Sequence, residues 1–249
     1  MLLVIPSITI ENGICVGNIV YPLIQAETPI YENPIDRARL LRKENAKALH
    51  LIFQGEEEWT APNLELIEQI RLSVDIPIEV SLSTIPHDFS CVKQLLDSGI
   101  YRLFIPHEAS DYFVTHCVSD FSRQKIAISL PAGLATIENL ERLKDDGVVR
   151  LCITLPVENL PVDELRTIAL SANKFGLRLS LLSGVHSYRE IMLVAGFMPG
   201  FDSVILGSAL DENVFPCQSI WREMEIKASM GGAKEANLWK NPLAHIPHI

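Results

Sequence analysis

Few residues in this 249-residue chain combine a reactive type with a telling position. His107 and Glu108 are neighbours in "FIPHEAS". An imidazole beside a carboxylate can pass a proton between a substrate and solvent. Glu11 follows "PSITI", where an apolar run gives way to Asn12-Gly13, and could also reach a substrate. "SGVHSYREI" and "LGSAL" offer something different. Ser183-Gly184 and Gly207-Ser208 are small pairs at the ends of apolar runs, the first leading into a helical pattern. Small residues let backbone N–H groups approach an anion, and a helix N-terminus favours negative charge. The two pairs are therefore a candidate phosphate site. Other reactive types read as structural. Glu56, Glu57 and Glu58 form a charge run of an exposed face. His245 and His248 lack companions that would complete a metal site. Ser183 is not in a G-x-S-x-G elbow, and no His-Asp arrangement points to a serine hydrolase. His50 reads as core-facing or packed under a helix, and Cys152 as a small buried hydrophobe.

The elements that would position these groups alternate along the chain. Strand-like apolar runs occupy Leu2–Ile5, Ala48–Phe53, Ile78–Leu82, Arg102–Ile105, Lys125–Leu130, Arg150–Leu155, Arg178–Leu182 and Ser203–Leu206. Between them lie the helical patterns "PIDRARLLRKENA", "NLELIEQIRLSV", "DFSCVKQLLDSG", "TIENLERLKDDG", "PVDELRTIALSANKFG" and "SYREIMLVAGF". Several of these end in Gly, the usual stop signal. The strand runs read as continuously apolar, which suits parallel strands covered on both faces. Eight β-α units in this length predict an α/β protein, a closed (βα)₈ barrel, over an open doubly wound sheet. The chain also echoes itself at an offset of about 100 residues, a period too long for a solenoid. "AKALHLIF" matches "VVRLCITL", "IEVSLSTIPHDF" matches "LRLSLLSGVHSY", and "DSGIYRLFIP" matches "MPGFDSVILG". Two similar half-barrels would produce that pattern. The expected organisation is a barrel over residues 1–216. Residues 217–249 would form a last helix and an irregular tail packed on the barrel or a partner.

The bulk numbers narrow the partners. A net charge of −10 repels phosphate backbones, so nucleic acid is not an expected partner. No apolar run approaches the roughly 20 residues that span a bilayer. Five cysteines with wide spacings and no C-x-x-C suit a reduced, cytoplasmic protein. No cofactor or metal is implied.

Taken together, "VIPSITIENGICV", "NPIDRARLLRKENAKALHLI", "VDIPIEV", "VKQLLDSGIYRLFI", "SGVHSYREI" and "DSVILGSAL" resemble one family over residues 1–216. It is the phosphoribosylformimino-5-aminoimidazole carboxamide ribotide isomerase family of histidine biosynthesis, whose sister is the imidazole glycerol phosphate synthase cyclase subunit. The resemblance implies a (βα)₈ barrel of two halves and a substrate with a phosphate at each end. It also implies an aminoaldose–aminoketose isomerisation run by two aspartates, at the ends of the first and fifth strands. This chain has Thr9 and Pro131 at those positions. The glycine run after the third strand is here Ser81, Leu82, Ser83, Thr84 and Ile85. Thr154 matches a family threonine, while the acidic residues that follow it are Leu155 and Val157. Ser183, Gly184, Gly207 and Ser208 preserve the other half of the phosphate clamp better.

Three readings follow for the function: a non-catalytic phosphosugar-binding relative, an enzyme of different chemistry on a phosphorylated small molecule, and an active isomerase with replacement groups. His107 and Glu108 are the candidates for replacement. Partners beyond a phosphorylated small molecule would be another protein or a second copy.

Overall fold

A computed structural model describes residues 2–16, 33–55, 61–86, 88–155 and 160–207. Ser208, the Glu56–Glu58 run, Val157 and the tail with His245 and His248 lie outside the described residues.

The strands run in chain order β1 (Leu3–Glu11), β2 (Ile14–Cys15), β3 (Leu49–Gln54), β4 (Ile78–Ser81), β5 (Arg102–Pro106), β6 (Ile126–Pro131), β7 (Arg150–Thr154), β8 (Arg178–Leu182) and β9 (Phe201–Leu206). Apart from β2, each pairs in parallel with the next, and β1 pairs with β9, so an eight-stranded barrel closes. That closure excludes the open sheet. The echoing segments contribute β3 and β7, β4 and β8, and β5 and β9. Each pair is four barrel positions apart, as a half-barrel repeat requires.

Helices α1 (Pro34–Lys43), α2 (Ala61–Ser73), α3 (Phe89–Asp97), α4 (Asp111–Phe121), α5 (Ile137–Asp145), α6 (Val162–Lys174) and α7 (Tyr188–Ala195) follow the strands. Side chains of Asn33, Asp88, Ser110, Thr136 and Ser187 cap α1, α3, α4, α5 and α7 by accepting from first-turn N–H groups. Only α4 has no counterpart in the sequence patterns. "DYFVTHCVSDF" is rich in aromatic and β-branched residues of modest helix propensity, and packing decides its state.

Two readings of the strands need correction. First, β1 does not stop at Pro6 but runs on to Glu11. Pro6 is the last residue paired with β9, and Ser7 the first paired with β3, so the proline sits where the ladder changes partner. The Ser7 hydroxyl donates to the Leu206 carbonyl at 3.2 Å at the same place. Second, the strands are not apolar on both faces. Outward residues such as Leu51, Val80, Leu103, Ile128 and Val204 pack under the helices in the main core. Inward residues form a small apolar cluster of Ile5, Ala48, Phe104, Ala127, Cys152 and Ile205, interleaved with polar groups.

The polar inward groups close the floor, at the N-terminal ends of the strands. Arg150 is bidentate to Asp202 at 2.7 and 2.6 Å and donates to the Ser180 hydroxyl at 3.1 Å. Arg102 pairs with Glu79 and donates to the Gln124 carbonyl at 3.2 Å. Burial lowers the pKa of Arg102; it opposes charge on Arg150 too, but there the Asp202 hydrogen bonds and charge outweigh it and the pKa rises.

Candidate functional site

The C-terminal ends of the strands form the opposite mouth, where barrel enzymes place their chemistry. Thr9 lies two residues before the end of β1, and Gln54, Pro106, Pro131 and Thr154 end β3, β5, β6 and β7. Ser83, Ser183 and Gly207 follow β4, β8 and β9 by one or two residues. These eight positions, one per barrel strand, therefore line the rim.

Cross-strand register identifies the residues that face inward there. Thr9 pairs with Ile52 and Ile52 with Ser81; Ser129 pairs with Cys152; Pro131 pairs with Thr154 and Thr154 with Leu182. Paired residues of parallel strands share a face. Thr9, Ile52, Ser129, Pro131, Thr154 and Leu182 are all partly exposed. The cup is thus walled by three hydroxyls and three apolar groups. Glu11 belongs to the same row as Thr9 but sits at the edge, exposed and paired with Gln54. Thr9 and Pro131 come from the first and fifth of the eight strands, on opposite walls. A threonine hydroxyl does not titrate near neutrality, and proline has no side-chain proton to give.

His107 and Glu108 form a turn directly after β5, with His107 Nδ1 at 3.1 Å from Glu108 Oε2. The ring is largely covered and the carboxylate exposed. The structure brings these two together as the sequence suggested; it places neither among the inward row.

After β8 the backbone turns through two consecutive left-handed residues, Ser183 (φ 71°) and Gly184 (φ 73°). A Cβ on Gly184 would lie 2.7 Å from Leu155 Cδ1, so the loop passes close over the residue that follows Thr154. Glycine is needed at that spot for room as well as for conformation. The loop then enters α7 through a reciprocal cap. Ser187 Oγ accepts from the Glu190 N–H at 3.3 Å, and Glu190 Oε2 accepts from the His186 N–H at 2.7 Å. Gly207 stands at the end of β9, where a Cβ would meet Ser7 Oγ at 2.9 Å. These residues form one arc of the rim, from Thr154 across Ser183 and Gly184 to Gly207.

The loop after β4 differs. Leu82 is buried in the outer core, and its N–H donates to the Phe104 carbonyl at 3.1 Å. Its bulk therefore leaves the mouth rather than filling it, and its N–H is committed. Ile85 is exposed.

Below the mouth lies a group that the sequence patterns did not single out. His50 is fully buried inside the barrel, not under a helix, with Nε2 at 2.7 Å from Ser81 Oγ. Glu79 Oε2 faces its other nitrogen at 3.7 Å. Reading strands as uniformly apolar hid these residues; the inward period-2 row of His50, Glu79, Ser81 and Arg102 was the available signal. Cys152 is buried beside them, and burial pushes its thiol pKa far up. Among the described residues, no three His, Cys, Asp or Glu side chains converge as metal ligands. No described helix is long and apolar enough to cross a membrane.

Comparison with known proteins agrees with this geometry. Residues 3–154 match the family described as "Histidine biosynthesis protein". Curated relatives carry the name 1-(5-phosphoribosyl)-5-((5-phosphoribosylamino)methylideneamino)imidazole-4-carboxamide isomerase. That of Chlorobium phaeovibrioides is 28% identical, covering 90% of this chain and 94% of the relative. That of Chlorobium luteolum is 29% identical with the same coverage. That of Salinibacter ruber is 29% identical, covering 89% of this chain and 93% of the relative. The barrel, its closed register and these matches together place the chain in the histidine biosynthesis protein family of isomerase-like barrels.

Proposed function

We propose that this chain is a divergent member of the family, cytoplasmic, that binds a phosphorylated small molecule and does not carry out the isomerisation named for its relatives. The observation that carries this reading is the pair Thr9 and Pro131, on opposite walls of the cup where the resemblance puts two aspartates. A general acid or base contributes about 10²–10⁴-fold, and the two act as a unit, so their joint loss costs several orders of magnitude but less than the product. The arc of Thr154, Ser183, Gly184 and Gly207 supports the binding half of the reading: it has small residues, a close backbone approach and a helix start beside it. Ser208 extends the same proposal from the sequence.

The test is formation of the ketose product from the relatives' ribotide by purified protein, with complementation of an isomerase-deficient histidine auxotroph as its cellular counterpart. No turnover and no growth are expected. A kcat within tenfold of the roughly 10 s⁻¹ of a typical enzyme would overturn the reading. A double change, Thr9→Asp with Pro131→Asp, is expected to recover little, because Ser81–Ile85 no longer offers the second phosphate a glycine loop and remote binding energy holds the reacting carbon in place. Binding is read separately by calorimetry with ribose 5-phosphate against ribose. Only the phosphorylated sugar should give heat, and equal titrations would remove the phosphate site from the proposal.

A second reading has its own observation. The His107–Glu108 contact at 3.1 Å is a ready proton-transfer pair at the rim, and would serve an enzyme of different chemistry or an isomerase with replacement groups. Turnover that disappears in both His107→Ala and Glu108→Ala would favour it.

A further inference from the structure

The barrel interior holds a second constellation, independent of the rim. Ser81 ends β4, His50 is the second residue of β3, and Glu79 lies two residues before Ser81. His50 and Glu79 are register partners, and Ser81 stands one inward step nearer the mouth. The hydroxyl of Ser81 is 2.7 Å from His50 Nε2. His50 Nδ1 and Glu79 Oε2 face each other at 3.7 Å, and each is buried without a hydrogen-bond partner of its own. The other oxygen of Glu79 is held by Arg102. Phe104 meets the imidazole edge-on with ring centroids 5.0 Å apart and fixes its plane. All these side chains are buried.

We propose that Ser81, His50 and Glu79 form a nucleophilic serine with its base and orienting carboxylate, set in the floor of the cup and directed at a small carboxylic ester. Two orphaned atoms facing each other across 3.7 Å carry the argument. A proton on His50 Nδ1 points at Glu79 across 3.7 Å, an electrostatic contact that shortens to a hydrogen bond with a small shift of either side chain, and Nε2 is left with a lone pair to accept from the Ser81 hydroxyl. This is the arrangement in which a base can strip a serine, and such contacts are commonly looser without substrate. The side of Ser81 nearest solvent is the one toward the mouth. Ser81 is level in register with Ile52 and Thr9, both partly exposed to the cup, and is itself 5% exposed. The hydroxyl is also this chain's own feature, since the resemblance puts a glycine at position 81. In the first step Ser81 Oγ bonds to the ester carbonyl carbon and its proton passes to His50 Nε2. The alcohol then leaves with that proton, and water, deprotonated by His50, releases the acid and restores Ser81.

The test needs neither the phosphate site nor the family substrate, so its outcome is separate from that of the proposed function. The folded wild-type protein is treated with diisopropyl fluorophosphate and followed by intact mass and peptide mapping. Ser81 Oγ bonds to phosphorus, the P–F bond breaks, fluoride leaves, and the proton goes through His50 to water. One adduct on Ser81 is expected, none in Ser81→Ala, and labelling about 10²-fold slower or more in His50→Asn. Glu79→Gln should slow it less. Absence of a Ser81 adduct after exhaustive treatment overturns the proposal, as does an unchanged rate in folded His50→Asn. Should that variant not fold, nitrogen-15 histidine NMR of the wild type decides, with His50 assigned by its change in Ser81→Ala. Protonation of Nδ1 in the neutral ring is required, and a neutral ring carrying its proton on Nε2 overturns the assignment.

Discussion

Exchanging the residue types at the β8 exit, one position at a time, tests whether that loop is as tightly specified as its geometry indicates. Ser183 and Gly184 are both left-handed, yet only one of them is glycine. A non-glycine residue in that region costs about 1–2 kcal/mol. Ser183→Gly removes this cost but gives the unfolded chain more freedom, which takes back about 0.4–1 kcal/mol. The net effect is a gain between about zero and 1.6 kcal/mol. Gly184→Ala runs the other way. It adds the left-handed cost, recovers about 0.4–1 kcal/mol from the unfolded state, and places a methyl 2.7 Å from Leu155 Cδ1 and 3.1 Å from Leu155 Cβ. Leu155 is buried in the core and cannot swing aside freely, so overpacking costs about 1–3 kcal/mol more. The sum is a loss of about 1–4.6 kcal/mol. Urea unfolding with a shared m-value measures both, and thermal unfolding should separate the variants by about 2 °C or more, at about 2–4 °C per kcal/mol for a chain of this size. A Gly184→Ala protein as stable as the parent would refute the reasoning. A Ser183→Gly protein destabilised by more than about 1 kcal/mol would show that the serine hydroxyl makes a contact outweighing the strain.

Three other outcomes follow from the packing. Arg150→Met leaves the partly buried Asp202 with the Ser203 hydroxyl at 3.1 Å and Arg178 at 3.8 Å in place of a bidentate guanidinium, and a loss of about 3–5 kcal/mol is expected in urea unfolding, most of it recovered when Asp202→Leu is added. Gly200→Ala would bring a methyl within 2.7–2.9 Å of Ala169, two of the three contacts being backbone atoms, so a loss of about 1–3 kcal/mol is expected by the same measurement. Burial, reinforced by Asp120, pushes the Cys117 thiol up to about 12, and burial raises Cys152 further. Thiolate is the reactive form and is nearly absent in both at pH 8. Iodoacetamide should therefore spare these two cysteines in the native protein and modify them after unfolding, as peptide mapping will read; equal rates in both states would contradict it.

The barrel was legible in the sequence because its outward strand faces agree around the ring and most units add a helix cap or a glycine stop. β7 and β8 differ from their sequence patterns by at most one residue, and the half-length echo falls on strands four positions apart. Three things were not legible, each for a physical reason. α4 is held by burial of Val114 and Cys117 rather than by its own propensities, so a local pattern cannot announce it. β1 passes through Pro6 because the proline falls at the change of ladder partner, a fact of three-dimensional register that no local signal carries.

The third concerns the site. The rim positions could be placed from the strand ends alone, because in a barrel every strand delivers its last inward residue to the same mouth. The interior row could not, because a barrel this narrow makes inward residues of neighbouring strands meet whatever their distance in sequence. His50 and Ser81, on adjacent strands, are separated by 31 residues, and Arg150 reaches across β8 to Asp202, 52 residues away. Charged side chains at the starts of the strands then have nowhere to go but onto each other. Arg102 and Arg150 must find Glu79 and Asp202, or the floor would hold unpaired charge at a cost of several kcal/mol each. The same constraint turns His50 toward Ser81 and Glu79. A sequence that places a histidine, a glutamate and a serine on successive inward steps of adjacent strands has thereby specified their contact, and with it a polar cluster that the outward pattern of the strands gives no reason to expect.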